Sequence, residues 1–269
     1  MYKAVVIDLD GTLLNDEKKV GKDDLLTLYE LGKKDIVRII ATGRSLFSFH
    51  EVVNNTFPID YLIFDAGGGI INFKTKEILI SHFLLSEDVK YIAEKLSELK
   101  IDFQVRNKIP DSHKYFYKRF LDCNPDFDRL NMLYKNYSTE LSSFSVLSDA
   151  SRFIAISPVD DIVKIITDEF AEYSIIRASS PIDNKSVWME IYPKNVNKGS
   201  SLKYLCNKLK ISMSETVGLG NDYNDIEFLN ITGKSFIVSN APKILKERYT
   251  ITVRNNENPL TEIVKNVFI

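Results

Sequence analysis

Four apolar residues, 4–7, open the chain and give way at once to the polar turn 8–12. An unbroken apolar run of this length is how a strand covered on both faces reads, so residues 4–7 predict a buried strand. Leu25, Leu26, Tyr29 and Leu31 then mark one side of a helix, and the pattern repeats. Residues 36–41 predict a second strand, Ser45 is placed to cap the helix after it, and 61–64 predict a third strand before the glycines 67–69. Strand, polar turn, amphipathic helix and strand again is the rhythm of βαβ units, which implies three parallel strands here.

From about residue 82 the texture changes. Helices are expected at 88–99, near 125–135 and near 159–171, among strands at 103–106, 115–120, 153–157, 174–178 and 187–191, which is the pattern of a separate α+β unit. The βα rhythm resumes at Lys198, with a helix through residue 209, a strand at 216–219, a helix from 225 and a strand at 235–238. The expected fold is therefore α/β: a Rossmann-like parallel-sheet core formed by residues 1–81 and 190–269, interrupted by an inserted α+β unit at 82–189. The chain shows no internal repeat and no low-complexity tract.

Composition narrows the choice of partner. The 269 residues are 44% hydrophobic and 27% charged, values of a folded globular protein with a sizeable core. Lysine and arginine number 35 against 37 acidic residues, so no overall basic field exists to draw in nucleic acid or an anionic membrane, and a small substrate is the better expectation. The two cysteines have no metal-ligand spacing and are too few for a disulfide framework, as suits a reducing compartment. The first residues lack the zones of a signal peptide, and no apolar run approaches a membrane span. A cytoplasmic protein with no membrane association and no evident obligate protein partner is expected.

Four segments carry candidate chemistry. Asp8-Leu9-Asp10-Gly11-Thr12 lies where the first strand ends, the edge at which open α/β sheets bind ligands. Strand alternation would send Asp8 and Asp10 to one side, and Gly11 permits the sharp turn that keeps both carboxylates near one ligand. One carboxylate could then act as nucleophile and the other as proton donor, although an Asx-type turn closing a strand uses the same residue types. Ala41-Thr42-Gly43-Arg44 ends the second strand and leads into a helix, where a hydroxyl and backbone N–H groups suit a phosphate or serve as ordinary capping. Lys198 opens the helix after the insert, a position where the helix macrodipole favours anions. Either a phosphate and a carboxylate compensate it, or it is a solvated surface lysine. The loop Gly218-Leu219-Gly220-Asn221-Asp222-Tyr223-Asn224-Asp225 crowds oxygen donors after the fourth core strand. It suits Mg2+, which takes oxygen ligands and typically combines one or two carboxylates with substrate phosphate; an N-capping turn is the plainer account.

In their order and strand-end placement, with the large insert between the second and third, these segments resemble the four motifs of the haloacid dehalogenase-like superfamily. They are most similar to its Cof-type sugar-phosphate phosphatases, whose large αβ cap (class IIB-like) resembles residues 82–189 in size and texture. The resemblance implies a Mg2+-dependent phosphatase acting on a small phosphorylated metabolite under a mobile cap that governs specificity. It implies that Asp8 is the nucleophile and becomes phosphorylated, and that Asp10 is general acid and then base. The Leu9 amide, Thr42, Gly43, Lys198 and Asn224 would surround the phosphoryl oxygens. Mg2+ would be held by the Asp8 side chain, the Asp10 carbonyl and Asn221, with Asp222 or Asp225 as the other candidates because the family usually has an aspartate where this chain has Asn221. Ala66-Gly67-Gly68 replaces the Asn-Gly-Ala turn common in relatives, with little catalytic effect expected.

Two further functions fit the same motifs: a sugar-phosphate mutase or phosphotransferase, and a catalytically idle binding protein. Outside the motifs, Arg106, Lys108, His113, Lys114, Lys118 and Arg119 alternate with Phe103, Tyr115, Phe116, Tyr117 and Phe120. Aromatics among basic residues can bind single strands, but period-2 alternation accounts for them as strands with one buried and one wet face. His50, His82 and His113 have no metal-ligand spacing, and Trp188 and Met189 read as packing residues.

Overall fold

All five residues of the first strand, β1 (Ala4–Asp8), are buried, as their apolar run predicts. In the computed structural model, which describes residues 1–180 and 186–267, the chain continues through α1 (Lys22–Lys33), β2 (Val37–Ala41), α2 (Leu46–His50) and β3 (Tyr61–Phe64). A hairpin of β4 (Gly69–Asn72) and β5 (Ile78–Ser81) follows. Next come α3 (Ser86–Glu98), β6 (Phe103–Asn107), β7 (Tyr115–Lys118), α4 (Pro125–Leu133), β8 (Ser138–Glu140), β9 (Ala150–Ser157), α5 (Ile162–Glu169), β10 (Ser174–Ser179) and β11 (Val187–Tyr192). The last stretch holds α6 (Lys198–Leu209), β12 (Thr216–Gly220), α7 (Ile226–Ile231), β13 (Lys234–Val238), α8 (Lys243–Lys246), β14 (Thr250–Thr252) and α9 (Pro259–Val267). The chain divides into one unit of Met1–Ser81 with Asn197–Ile269 and a second of His82–Val196.

The first unit is built on an eight-stranded sheet of order β14-β13-β12-β1-β2-β3-β4-β5. Every pairing from β14 to β3 is parallel, while β4 and β5 add antiparallel at one edge. The chain leaves β1 towards β2 and β3, and returns on the other side of β1 at β12. That reversal makes the β1/β12 crevice a topological switch point, where such sheets bind ligands beyond the strands' carboxyl ends. The expected Rossmann-like core is thus present, with β4, β5, α8, β14 and α9 in addition to the elements expected from sequence. The α9 helix is fastened to α1 by Asp24, whose Oδ1 accepts from the Thr261 N–H and hydroxyl, each at 2.8 Å.

The second unit holds a six-stranded sheet of order β10-β11-β9-β6-β7-β8, antiparallel except for β7 with β8. One face packs Phe103, Val105, Phe153 and Met189 with Val89, Ile92 and Ile166 of α3 and α5. The opposite face, expected to be wet, is also covered: α4 places Phe127 and Leu130 on Ile154, Ile156 and Trp188. All eight residues of β9 are buried in consequence. Trp188 donates its indole N–H to Asp126 Oδ2 at 2.5 Å, so packing and one buried hydrogen bond account for it.

The basic residues around β6 and β7 are engaged within this unit. The Arg106 guanidinium lies over the Tyr115 ring at 4.0 Å, Lys108 pairs with Asp149, Lys114 with Asp111, and Arg119 with Asp128. The expected boundary at 189/190 falls inside β11, which pairs with β9 and β10 along its length; residues 190–196 therefore belong with the second unit.

Within the first unit, the end of β3 is fitted against the start of α6. Gly67 lies in a 3-10 turn with φ +106°, and a Cβ there would come within 2.3 Å of the Asn197 carbonyl oxygen and 2.9 Å of the Lys198 nitrogen. The Ser201 hydroxyl donates to the Gly67 carbonyl at 2.7 Å. Gly67→Ala is expected to cost about 2 kcal/mol or more, from a disallowed φ and a backbone clash together. Urea denaturation should show a lowered midpoint with little change of slope; an unchanged midpoint would mean that the turn moves aside freely.

Candidate active site

Register brings the motif ends to one edge of the core sheet. Asp8 is level with Ala41 on β2, and Ile7 is level with Leu219 on β12. Asp8, Thr42 and the loop after Gly220 therefore emerge together at the switch point.

Lys198 reaches this edge from α6. Asn197 caps that helix in a capping box with Ser200: its side chain accepts from the Ser200 N–H at 2.8 Å, and the Ser200 hydroxyl accepts from the Asn197 N–H at 3.1 Å. The lysine side chain is fully buried, and its three N–H donors have three acceptors: Asp8 Oδ1 at 2.7 Å, Asp225 Oδ1 at 2.7 Å and Asn224 Oδ1 at 3.2 Å. Burial alone would lower its pKa, yet the adjacent Asp225 and Asp8 charges outweigh it and raise the value. The solvated-lysine reading does not hold, because two carboxylates supply the compensation that a cation at a helix N-terminus needs.

Asp225 is fully buried, with both carboxylate oxygens engaged. Its other oxygen, Oδ2, accepts from the N–H groups of Asn221 at 2.8 Å and Asp222 at 3.0 Å, so one carboxylate fixes both the lysine and the loop. Asp222 turns its Oδ1 to the N–H of Tyr223 at 2.8 Å. The Asn221 amide lies against Gly11, where a Cβ would come within 2.5 Å of Nδ2 and where φ is +72°. Glycine is needed there for both the turn and the close approach.

Asp8 occupies a different electrostatic position. One ammonium cannot neutralise two buried carboxylates, and burial together with the Asp225 charge pushes Asp8 up to about 7 against the pull of Lys198. Its second oxygen, Oδ2, is buried and has no hydrogen-bond partner among the described residues. A buried carboxylate oxygen without a donor is costly unless a cation or a ligand completes it.

Asp10 lies beyond the end of β1, so the turn, rather than strand alternation, sets its direction. Arg44 grips it side-on, Nε to Oδ2 at 2.7 Å and Nη2 to Oδ1 at 2.8 Å, while Lys18 stands 3.5 Å from Oδ1. Burial would raise the Asp10 pKa, but the hydrogen bond and charge of Arg44, with help from Lys18, hold it below the usual carboxylate range.

Thr42 is buried, with its N–H on the Ile63 carbonyl at 2.9 Å and its hydroxyl oxygen accepting from the Arg44 N–H at 3.1 Å. The Asn224 amide nitrogen lies beside Gly43, 3.8 Å from where a Cβ would stand. The helix after this segment, α2, has only five residues, so its macrodipole adds little to any anion site there. Leu9 is fully buried behind Asp8.

The structure thus joins Asp8, Lys198, Asn224 and Asp225 directly, ties Asn221 in through Asp225, and sets Asp10 apart on Arg44. Two contributors carried no sequence-level assignment. Arg44 was visible only as the last residue of the segment Ala41-Thr42-Gly43-Arg44, and Gly67 only as part of a glycine run.

A parallel α/β sheet with a buried charge cluster at its switch point is an enzyme architecture of the Rossmann-like kind. The chain belongs to the haloacid dehalogenase-like hydrolase family, whose model matches residues 5–262. It is similar to the 5-amino-6-(5-phospho-D-ribitylamino)uracil phosphatase of Bacillus subtilis, 24% identical over 95% of this chain and 94% of the relative. An HMP-PP phosphatase of Klebsiella pneumoniae is 23% identical over 91% of this chain and 87% of that protein. Among solved structures, a subclass IIB sugar phosphatase of the superfamily superposes with a TM-score of 0.78 at 17% identity, covering 98% of each chain, which speaks for the fold. No helix among the described residues is long and apolar enough to cross a membrane.

Lys198→Ala would leave Asp8 and Asp225 buried without their shared cation. Such a change is expected to cost about 3–5 kcal/mol of stability, measured by denaturant unfolding in chelator. A loss below about 1 kcal/mol would show that the two carboxylates do not depend on the lysine.

Proposed function

We propose that the chain is a Mg2+-dependent phosphatase hydrolysing small phosphorylated metabolites, sugar phosphates foremost, with the phosphoryl group carried transiently on Asp8. The observation that carries this reading is the Asp8 carboxylate itself. One oxygen is pinned by Lys198 and the other is buried with no donor among the described residues, at the switch point of a parallel sheet.

In the first half of the reaction, one carboxylate oxygen of Asp8 bonds to phosphorus as the bond from phosphorus to the leaving oxygen breaks, and Asp10 gives that oxygen a proton. In the second half, Asp10 takes a proton from water as the water oxygen bonds to phosphorus, and the bond to Asp8 breaks. An alcohol and inorganic phosphate leave, and both aspartates are regenerated. Arg44 holds Asp10 ionised, which is the form the second half uses; the first half requires Asp10 to regain a proton as substrate enters. Phosphoryl transfer is governed by positioning and by neutralising charge on the oxygens. Lys198, the Leu9 amide, Thr42, Gly43 and Asn224 are the groups of this chain assigned to that task.

The residues fit a magnesium ion. Two carboxylates against one ammonium leave the buried cluster short of positive charge, and Asp8 Oδ2 is short of a partner. Among the described residues no three His, Cys, Asp or Glu groups form a metal cage, and the donor set we assign is mixed. It comprises the Asp8 carboxylate, the Asp10 carbonyl and the Asn221 amide oxygen, as suits an ion that retains waters and shares substrate phosphate. Asp225, with both oxygens engaged, and Asp222, turned to Tyr223, are the weaker candidates. When bound, the ion would supply charge stabilisation on the phosphoryl oxygens. We assign substrate selection to the second unit, as a specificity domain. The small phosphorylated substrates named for the similar Bacillus and Klebsiella phosphatases support the substrate class.

A panel of phosphorylated metabolites assayed for free phosphate tests the reading. Mg2+-dependent release of stoichiometric phosphate is expected, whereas a mutase would consume substrate without releasing it and a binding protein would do neither. Asp8→Asn should lower turnover by about 10³-fold or more. Asn221→Ala should raise the Mg2+ concentration for half activity by about 10–100-fold, and Asp222→Ala should change it little. The reverse order would move the ligand assignment to Asp222.

A further inference from the structure

Asp10 stands apart from the Lys198 cluster, in a turn whose backbone is bridged to Leu14. The strand has ended, and the next residue is Gly11 at φ +72°. What fixes its carboxylate is Arg44. Two parallel N–H donors, Nε and Nη2, engage the two carboxylate oxygens at 2.7 and 2.8 Å, and a third donor, Nη1, is tied to the Ser48 carbonyl of α2 at 2.9 Å. A planar guanidinium held at three points defines the plane of the carboxylate it grips, which a lysine ammonium would not do. A carboxylate has about four lone-pair sites; the side-on fork takes one on each oxygen and Lys18, 3.5 Å from Oδ1, approaches a second there, which leaves a site open on Oδ2. Asp10 is thereby held in one orientation without losing its capacity to exchange a proton.

The contacts that hold Asp8 do not pass through this side chain. Lys198, Asp225 and Asn224 engage Asp8 and one another directly, and the bond from Arg44 to Thr42 is made by its backbone N–H. The Arg44 guanidinium therefore bears on the proton-handling group and leaves the nucleophile's own contacts in place.

We propose that Arg44 is a positioning residue that aims the Asp10 carboxylate at the leaving-group oxygen, so that its effect on rate depends on how much the leaving group needs a proton. The proposal rests on the reading of Asp10 as the acid. It requires that loss of the fork be felt on alkyl phosphates, whose alkoxide cannot leave unprotonated, and hardly at all on an aryl phosphate, whose phenolate can.

The test compares kcat/KM, which reports only the steps up to phosphoryl transfer, for a sugar phosphate turned over by the wild type and for p-nitrophenyl phosphate. Arg44→Ala, Arg44→Lys and Asp10→Asn are each measured on both substrates. Arg44→Ala is expected to lose about 10²-fold on the sugar phosphate and less than about 10-fold on the aryl phosphate, within the range of general acid catalysis. Arg44→Lys should recover part of the loss, since it restores charge but not the fork. In an Asp10→Asn background, Arg44→Ala should add no further discrimination between the substrates. Retained aryl activity shows that each variant is folded. Equal losses on both substrates, no loss on either, or a gain on the sugar phosphate for Arg44→Ala would overturn the proposal. If Asp10→Asn itself fails to discriminate, the acid reading falls and the proposal with it. If Asp10→Asn discriminates and Arg44→Ala does not, only the role of Arg44 falls.

Discussion

A single ammonium, buried between two carboxylates, sets the terms for the rest of this site. Lys198 comes from the far side of the inserted unit, 190 residues along the chain from Asp8, and makes 2.7 Å contacts with both Asp8 and Asp225. Burying an ion pair of this kind is weak evidence for stability, because desolvation offsets most of the attraction. Its value lies in specification. Once the lysine is in place, only arrangements that bring β1, the start of α6 and the loop after β12 together leave no charge stranded. The capping box on α6, the close approach of Gly67 to Asn197 and the double grip of Asp225 on the loop all serve that arrangement.

The same charge count prepares the site for chemistry. Two carboxylates and one ammonium leave a negative excess, and it falls on Asp8, whose pKa burial and Asp225 raise and whose second oxygen has no donor among the described residues. Under the proposed function a cation and a phosphoryl group would complete this carboxylate. Asp10, drawn off by Arg44, is in the opposite condition: ionised, oriented and half-exposed. Two aspartates separated by one residue thus hold different protonation behaviour because their neighbours differ, as the proposed division into nucleophile and proton carrier requires.

Much of the core was legible because its strands are largely buried and read as apolar runs, 4–7 and 61–64 unbroken and 36–41 interrupted only by Arg38. Lys198 was legible as a contradiction, a cation where the helix dipole disfavours one, although the partners that resolve it lie far away in sequence. The elements not foreseen were short, polar or at edges: β8 is Ser-Thr-Glu, β14 has three residues, and β5 is half-exposed. The α9 helix carried a usable signal in Pro259 at its first position and in the spacing of Leu260 and Ile263. The covered second face of β6 and β9 was not legible, since nothing local in those strands reports that α4 packs on them. Arg44 illustrates the same limit within the site. Its residue type fitted the motif, but the partner that gives it a role, Asp10, is 34 residues earlier.

The account comes down to whether phosphorus bonds to the Asp8 side chain during turnover. Acid quenching of the enzyme within the first turnover, with Mg2+ and excess substrate, followed by mass spectrometry of the peptide containing residues 4–12, measures this directly. One phosphoryl group on Asp8, absent from the Asp8→Asn protein and lost on standing at neutral pH, is the predicted result. Phosphate release at full rate with that peptide unmodified, or with the phosphoryl group on another residue, would contradict it.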